Sequence, residues 1–294
     1  MARIRAVVGK GFFYLFFSAF LIIWIYPLLW TASASLKSNI ETLSGSPSLL
    51  PSGFKWAMLL PWHWGQLSVF DFKNYADAWY VASFQQYFTN TLLFTILTVL
   101  IVIALCSLTG YVLGRYSFPG KKLFIGSIIV TLFIPQGYTI IPVWKLVNAI
   151  GLQESLLGMV LAEVGGAHVL LILMFMAYFA AIPKELEEAS VMDGAGFFLI
   201  FWRVMFPLSM PVVATTVVIQ SLWTWNDFFI PLVFSINQPS LQTLGVGMLN
   251  FMSMYGSNVS GMTAGAMISF IPIVLVFLFF QRYFVEGIAG AVKQ

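Results

Sequence analysis

Six runs of mostly apolar residues decide which solvent this chain folds in. They cover approximately 11–34, 89–113, 123–144, 159–182, 210–234 and 261–281. The hydrocarbon core of a bilayer is roughly 30 Å thick and a helix rises about 1.5 Å per residue, so each run is long enough to cross. No water reaches a backbone N–H or C=O inside hydrocarbon, and a helix satisfies both within its own segment. The sequence therefore predicts an all-α, polytopic membrane protein with six transmembrane helices. Composition points the same way. Only 9% of the 294 residues are charged and 60% are hydrophobic, whereas about a quarter of a soluble domain is charged.

The few charges set the orientation. With the N-terminus inside, Arg3, Arg5, Lys10, Arg115, Lys121, Lys122, Lys184, Arg203, Arg282 and Lys293 fall on the inner side, against Lys37, Lys55, Lys73 and Lys145 outside. That asymmetry obeys the positive-inside rule and places both termini, and the connection between the fourth and fifth runs, in the cytoplasm. A net charge of +3 on so long a chain gives no reason to expect nucleic acid. The N-terminus is basic then apolar like a signal peptide, and Ala32-Ser33-Ala34 imitates a cleavage site. Its charge-free run from Gly11 to Leu36 is longer than a usual signal core and further runs follow, so it reads as a retained first helix.

Motifs for chemistry within the chain fail. Cys106 is the only cysteine, and His63 and His168 are the only histidines, so neither a disulfide, a thiolate cluster nor a His-Glu-x-x-His zinc motif is available. The stretch Gly114-Arg115-Tyr116-Ser117-Phe118-Pro119-Gly120-Lys121-Lys122 invites comparison with a phosphate-binding loop. Five residues rather than four separate its glycines, and Lys122 stands where a Ser or Thr would hold magnesium. It reads as a basic turn facing the inner leaflet, and the chain is not expected to bind ATP, magnesium or a metal itself.

The densest charge lies between Pro183 and Pro211, PKELEEASVMDGAGFFLIFWRVMFPLSMP. Pro183 suits a first helical turn, and Glu185, Glu187 and Glu188 suit the positive end of a helix dipole. Gly194 and Gly196 interrupt. A second helix is expected to carry Phe197, Phe201 and Val204 on one face, to hold Arg203 in its last turn, and to stop before Pro207. Ala189, Ser190, Gly194, Ala195 and Gly196 leave little side chain at the elbow. Such a knob suits docking into a groove of another protein, or serves as an ordinary connection.

The same stretch resembles the EAA loop of permease subunits in binding-protein-dependent ABC importers: Glu-Ala-Ala, three residues, Gly, nine residues, Ile-x-Leu-Pro. Here Glu188-Ala189-Ser190 and Gly194 stand at that spacing, followed by Val204-Met205-Phe206-Pro207, with Ser190, Val204 and Phe206 as departures. Asp193-Gly194-Ala195, Trp225-Asn226-Asp227, Arg282 to Gly287 and Gly290 to Lys293 are similar to the carbohydrate branch, in particular the maltose-type shorter permease. The resemblance runs through nearly the whole chain. It implies a single permease domain of the type I ABC importer fold over 1–294, with an extracytoplasmic loop at about 37–87 and a coupling loop at about 183–210. The implied partners are a second permease (a heterodimer), two cytoplasmic ATPase subunits that bind ATP and magnesium, an extracytoplasmic sugar-binding protein and the lipid of a bacterial-type inner membrane. The implied coupling residues are Glu185, Glu188, Ala189, Ser190, Asp193, Gly194, Ala195, Arg203 and Pro207, with Asp193 and Arg203 bracing the elbow and the tail from Gly287 also touching the ATPases.

Elsewhere the reading stays open. Trp56, Leu59, Leu60, Trp62 and Trp64 suit either a membrane interface or a loop packed on the outer helix ends. The neutral loop Ile236 to Ser260 is a flexible connection by pattern; by resemblance it reaches toward the delivering protein. Pro135, Pro142 and Pro272 imply kinked helices. Charged groups inside the membrane cost on the order of 3 kcal/mol and should face an interior. Trp225, Asn226 and Asp227 fall near the middle of the fifth run, where they would line a sugar path or bond to backbone freed in a neighbouring span. Glu163 and His168 share the fourth run and are expected on different helix faces. A secondary transporter coupling ion flow through Asp227 and Glu163 is the competing class, and an ABC permease for a solute other than sugar is a third.

Overall fold

In the computed structural model the described residues are 2–45, 48–55, 69–166, 168–254, 256 and 258–292; the interfacial tryptophan segment lies outside them. Every regular element among them is helical. The principal ones are α1 (Ala2–Ser35), α2 (Phe84–Arg115), α3 (Lys121–Val130), α4 (Gln136–Ala149), α5 (Leu156–Val164), α6 (Val169–Ala181), α7 (Glu185–Met192), α8 (Phe197–Leu208), α9 (Met210–Asn226), α10 (Phe229–Ser235), α11 (Leu244–Met254) and α12 (Val259–Val292). Segments Phe13–Ser35, Phe84–Arg115 and Val259–Arg282 are long and apolar enough to cross a membrane unbroken. Three bent pairs raise the count to as many as six, the number the apolar runs predict.

The chain divides into two compact units, Met1–Gln85 with Met248–Ile271, and Gln86–Gly247 with Pro272–Gln294. In the first, the side chains of residues 13–30 are all exposed, a bare apolar surface suited to hydrocarbon. Asn74 donates to Ser35 O at 3.0 Å and Lys37 O at 2.8 Å, closing the end of α1. Asn39 Oδ1 accepts the amides of Val259 (2.8 Å) and Ser260 (3.4 Å), which caps the start of α12.

The second unit holds two cores. One gathers Val102, Cys106, Tyr111, Phe175, Phe179, Phe201 and Met205; the other gathers Phe94, Val147, Met159, Val160 and Phe234. In the first of these α2 and α6 approach closely because Gly110 and Gly114 carry no side chain. A Cβ at Gly110 would lie 2.4 Å from Phe175 Cβ, and one at Gly114 would lie 2.7 Å from Met176 O. This is the small-xxx-small packing that lets membrane helices touch through backbone.

The breaks correct several expectations and have local causes. Pro135 ends α3's path outright, because a residue before proline is driven from the helical region, and Ile134 sits at ψ 112. Pro142 lies inside α4, which continues through it. The fifth run is not one helix. It stops at Asp227 (ψ 131) and restarts at Phe229, because in a continuous helix the Pro231 ring would strike the Asp227 carbonyl one turn back. The helix expected to stop before Pro207 instead runs on to Leu208, because a wide π turn at Phe201–Met205 opens the backbone ahead of the proline. It then bends by 76° into α9. Pro183 sits ahead of the first turn of α7, whose cap is Lys184. The segment before α11, expected to be flexible, is tied to α2. Asn90 donates to Ser240 O (2.7 Å) and Gln242 O (2.9 Å), and Thr91 Oγ1 accepts the Leu244 amide at 2.8 Å.

Candidate coupling site

The elbow forms as its glycines require. Ala195 N bonds to Ser190 O at 3.0 Å and Gly194 N to Val191 O at 2.9 Å. This pair of bonds defines a Schellman ending for α7 with Gly194 at φ +80. That left-handed backbone costs an L side chain roughly 1–2 kcal/mol, which glycine avoids. Gly196 then caps α8 in extended geometry. Glu185, Glu188, Ala189, Asp193, Gly194, Arg203 and Pro207 are exposed, while Ser190 and Ala195 are half-buried. Beside them stand bare apolar side chains, Met192 at 87% exposure and Phe198 at 67%. Asp193 and Arg203 make no ion pair among the described residues, so they do not brace the elbow through a salt bridge.

The bracing comes from residues the sequence reading passed over. Glu187 turns inward while Glu185 and Glu188 turn out. Its Oε2 accepts Arg115 Nε at 2.6 Å, and its Oε1 accepts the hydroxyls of Tyr111 at 2.7 Å and Tyr116 at 3.1 Å. Arg115 Nη1 also donates to Ile182 O at 2.8 Å and Phe179 O at 3.4 Å, closing the end of α6. Burial alone would raise the Glu187 pKa. The hydrogen bonds from Tyr111, Arg115 and Tyr116, with the guanidinium charge, outweigh that and hold the carboxyl below the usual range. The Tyr111 ring meets Phe197 and Phe201 of α8 at 5.3 and 5.4 Å while its hydroxyl bonds to Glu187 of α7, so one residue touches both arms of the elbow. The basic turn Gly114 to Lys122, expected to face the inner leaflet, therefore includes an arginine, Arg115, whose side chain is only 3% exposed.

A second polar cluster lies at the breaks between α5 and α6 and between α9 and α10. Glu163 and His168 are not on one continuous helix, since α5 ends at Val164 and α6 starts at Val169. The chain turns at Gly165-Gly166, and His168 Nε2 comes to 3.2 Å from Glu163 O. Gln220, fully buried on α9, donates to Thr224 Oγ1 at 3.0 Å and weakly to Glu163 Oε1 at 3.4 Å. Asp227 is near enough to Glu163 for their like charges to interact. Asp227 Oδ1 accepts the Phe229 amide at 3.1 Å and so secures α10, while its buried Oδ2 and Gln220 Oε1 have no hydrogen-bond partner among the described residues. Trp225 and Asn226 stand apart from this group. The Trp225 ring packs edge-on against Phe88 at 5.8 Å and lines an apolar cleft of about 270 Å³ between α2, α9 and α12, and Asn226 is exposed, bonded back to Leu222 O. Asn226 and Asp227 therefore satisfy local backbone rather than backbone of a neighbouring span. Gln220 was the missed member; its signal is an amide in an otherwise apolar helix.

An all-helical membrane bundle that offers a bare charged elbow at one end and open polar groups at its helix breaks has the architecture of a transport subunit. Comparison with known proteins makes the class specific. Residues 107–290 match the family described as the binding-protein-dependent transport system inner membrane component, and the chain belongs to it. It is 34% identical over 267 residues to the osmoprotective compounds uptake permease protein GgtD of Synechocystis, covering 90% of this chain and 88% of that one. It is 30% identical over 281 residues to the diacetylchitobiose uptake system permease protein NgcG of Streptomyces coelicolor, covering 94% and 86%. The fold is similar to the crystal structure of a bacterial ABC transporter involved in the import of the acidic polysaccharide alginate. There the TM-score is 0.74 at 23% identity, covering 96% of this chain and 97% of that one.

Proposed function

We propose that this chain is one of two permease subunits in an ATP-driven importer of oligosaccharides, and that α7 and α8 dock into cytoplasmic ATPase subunits. The observation that carries the reading is the exposed Schellman elbow at Gly194, inside the region matching the family. Relatives named for sugar uptake support the substrate class, and the family's dependence on a binding protein supports an extracytoplasmic delivery partner. ATP and magnesium are handled by the ATPase subunits. Closure of those subunits on ATP pushes the elbow, and the path alternates because nucleotide favours one arrangement over the other. Both termini and the elbow lie in the cytoplasm, as the distribution of Lys and Arg indicates. The segment before α11, tied to α2, faces the delivering protein. The open acceptors on Asp227 and Gln220, with Glu163 and His168, are suited to sugar hydroxyls, and Trp225 belongs to the apolar wall beside them.

Two substitutions at the elbow test the docking. An added Cβ at Gly194 or Gly196 meets nothing within 4 Å among the described residues. Gly194→Asp adds bulk and charge at a strained φ, whereas Gly196→Ala adds one methyl at an ordinary φ. Both variants are expected to reach the membrane. The expected results are loss of binding-protein-stimulated ATP hydrolysis in Gly194→Asp and a several-fold reduction in Gly196→Ala. Wild-type stimulation in both would refute the docking. Competition between labelled maltotriose and glycine betaine for uptake separates the oligosaccharide reading from import of a solute other than an oligosaccharide.

A further inference from the structure

We propose that Arg115, Tyr111 and Glu187 form a rigid strut that makes the elbow and the cytoplasmic ends of α2 and α6 move as one body. The proposal rests on the reading above, that an ATPase subunit grips the elbow, and it adds how the push reaches the membrane. Arg115 and Tyr111 lie one turn apart on α2. From that turn one contact set runs to α7 through both carboxylate oxygens of Glu187, and a second runs to α8 through the rings of Phe197 and Phe201. A third runs to the end of α6 through the carbonyls of Ile182 and Phe179. Gly110 and Gly114 then seat α2 directly on the α6 backbone.

No part of this corner slips without leaving a buried charge or carbonyl unpaired, which is the condition for stiffness. A chain connection needing only to be present would not require its carboxylate to take three donors. Arg115 and Glu187 are therefore positioning residues for coupling, and neither touches the nucleotide or the solute.

The test uses the complete complex, with its ATPase and binding-protein partners, in lipid vesicles. Spin labels go on Lys184→Cys, ahead of α7, and Leu100→Cys, exposed on α2; the native Cys106 is buried away from reagent. In the otherwise native chain the label separation is expected to stay the same between nucleotide-free and vanadate-trapped complexes. In Glu187→Gln and Arg115→Met it is expected to change with nucleotide, and binding-protein-stimulated hydrolysis is expected to fall at least tenfold while the ATPase still co-purifies. Tyr111→Phe, which keeps the ring packing, is expected to lose several-fold. Variants that hold both the separation and the stimulation overturn the strut and leave the docking reading intact. So does a native separation that changes with nucleotide. A native chain that fails to retain the ATPase overturns the docking reading, and the strut with it.

Discussion

The two polar clusters of the second unit are built to opposite rules. At the elbow, Glu187 faces a cation and two hydroxyls, both of its oxygens are occupied, and the guanidinium's other donors reach carbonyls. At the helix breaks, neither Glu163 nor Asp227 is paired to a Lys or Arg among the described residues, and among those residues Asp227 Oδ2 and Gln220 Oε1 have no hydrogen-bond partner. A fully satisfied buried network resists rearrangement, whereas a partly satisfied one gains free energy from any donor that enters. On the function proposed above, one region would carry force and the other would admit water or solute hydroxyls.

The largest expected effect comes from breaking the foundation of the stiff corner. Gly114→Leu places side chain against Met176 O and the Ala180 amide, and backbone contacts of that kind cannot yield without parting α2 from α6. The variant is expected to lose assembled complex on size-exclusion chromatography of detergent extracts. Gly126→Leu on α3, where an added Cβ meets nothing within 4 Å among the described residues, is expected to assemble normally. Equal recovery of the two would mean that the helix contact is not needed.

A smaller effect is expected from the open cluster. Asp227→Asn keeps an oxygen for the Phe229 amide and removes the like charge beside Glu163. The thermal midpoint of the purified chain is expected to hold or rise, while vesicle uptake of a labelled oligosaccharide falls several-fold. A lowered midpoint with unchanged uptake would turn the contrast around and make this cluster a fold element.

How much of this was legible in the sequence depends on the range of the cause. Span number is a local property of hydropathy, and the six apolar runs carried it. The elbow was legible because Gly194 acts through its own backbone. The hinge at Asp227 was legible in principle, since Pro231 stands one turn later, but a run read for hydropathy alone conceals it. The expectation that Glu163 and His168 lie on different faces of one helix does not apply, because a spacing of five residues fixes faces only if the helix continues through Gly165 and Gly166, and it does not. The choice of Glu187 over Glu188 for the clamp was not legible at all. It depends on Arg115, 72 residues earlier in sequence, arriving on one side of α7, and the family pattern directs attention to Glu188. A tyrosine and an arginine one turn apart at the end of an apolar helix were the available hint.

The finest test asks whether the stiff corner titrates at all in the physiological range. A carboxyl whose folded pKa is depressed gives stability that is complete above its unfolded value, about 4.3 for Glu, and that is lost as pH falls through the lower folded value. Glu187 is such a group: burial pushes it up, and its three donors and the Arg115 charge more than reverse that. The difference in thermal midpoint between the native chain and Glu187→Gln should therefore be flat from about pH 8 to pH 5 and shrink only below the ordinary range for Glu. A slope between pH 5 and 8 would mean that the carboxyl is charged less firmly than its contacts require. The corner would then be as open as the cluster at the helix breaks, and the contrast between the two regions would be lost.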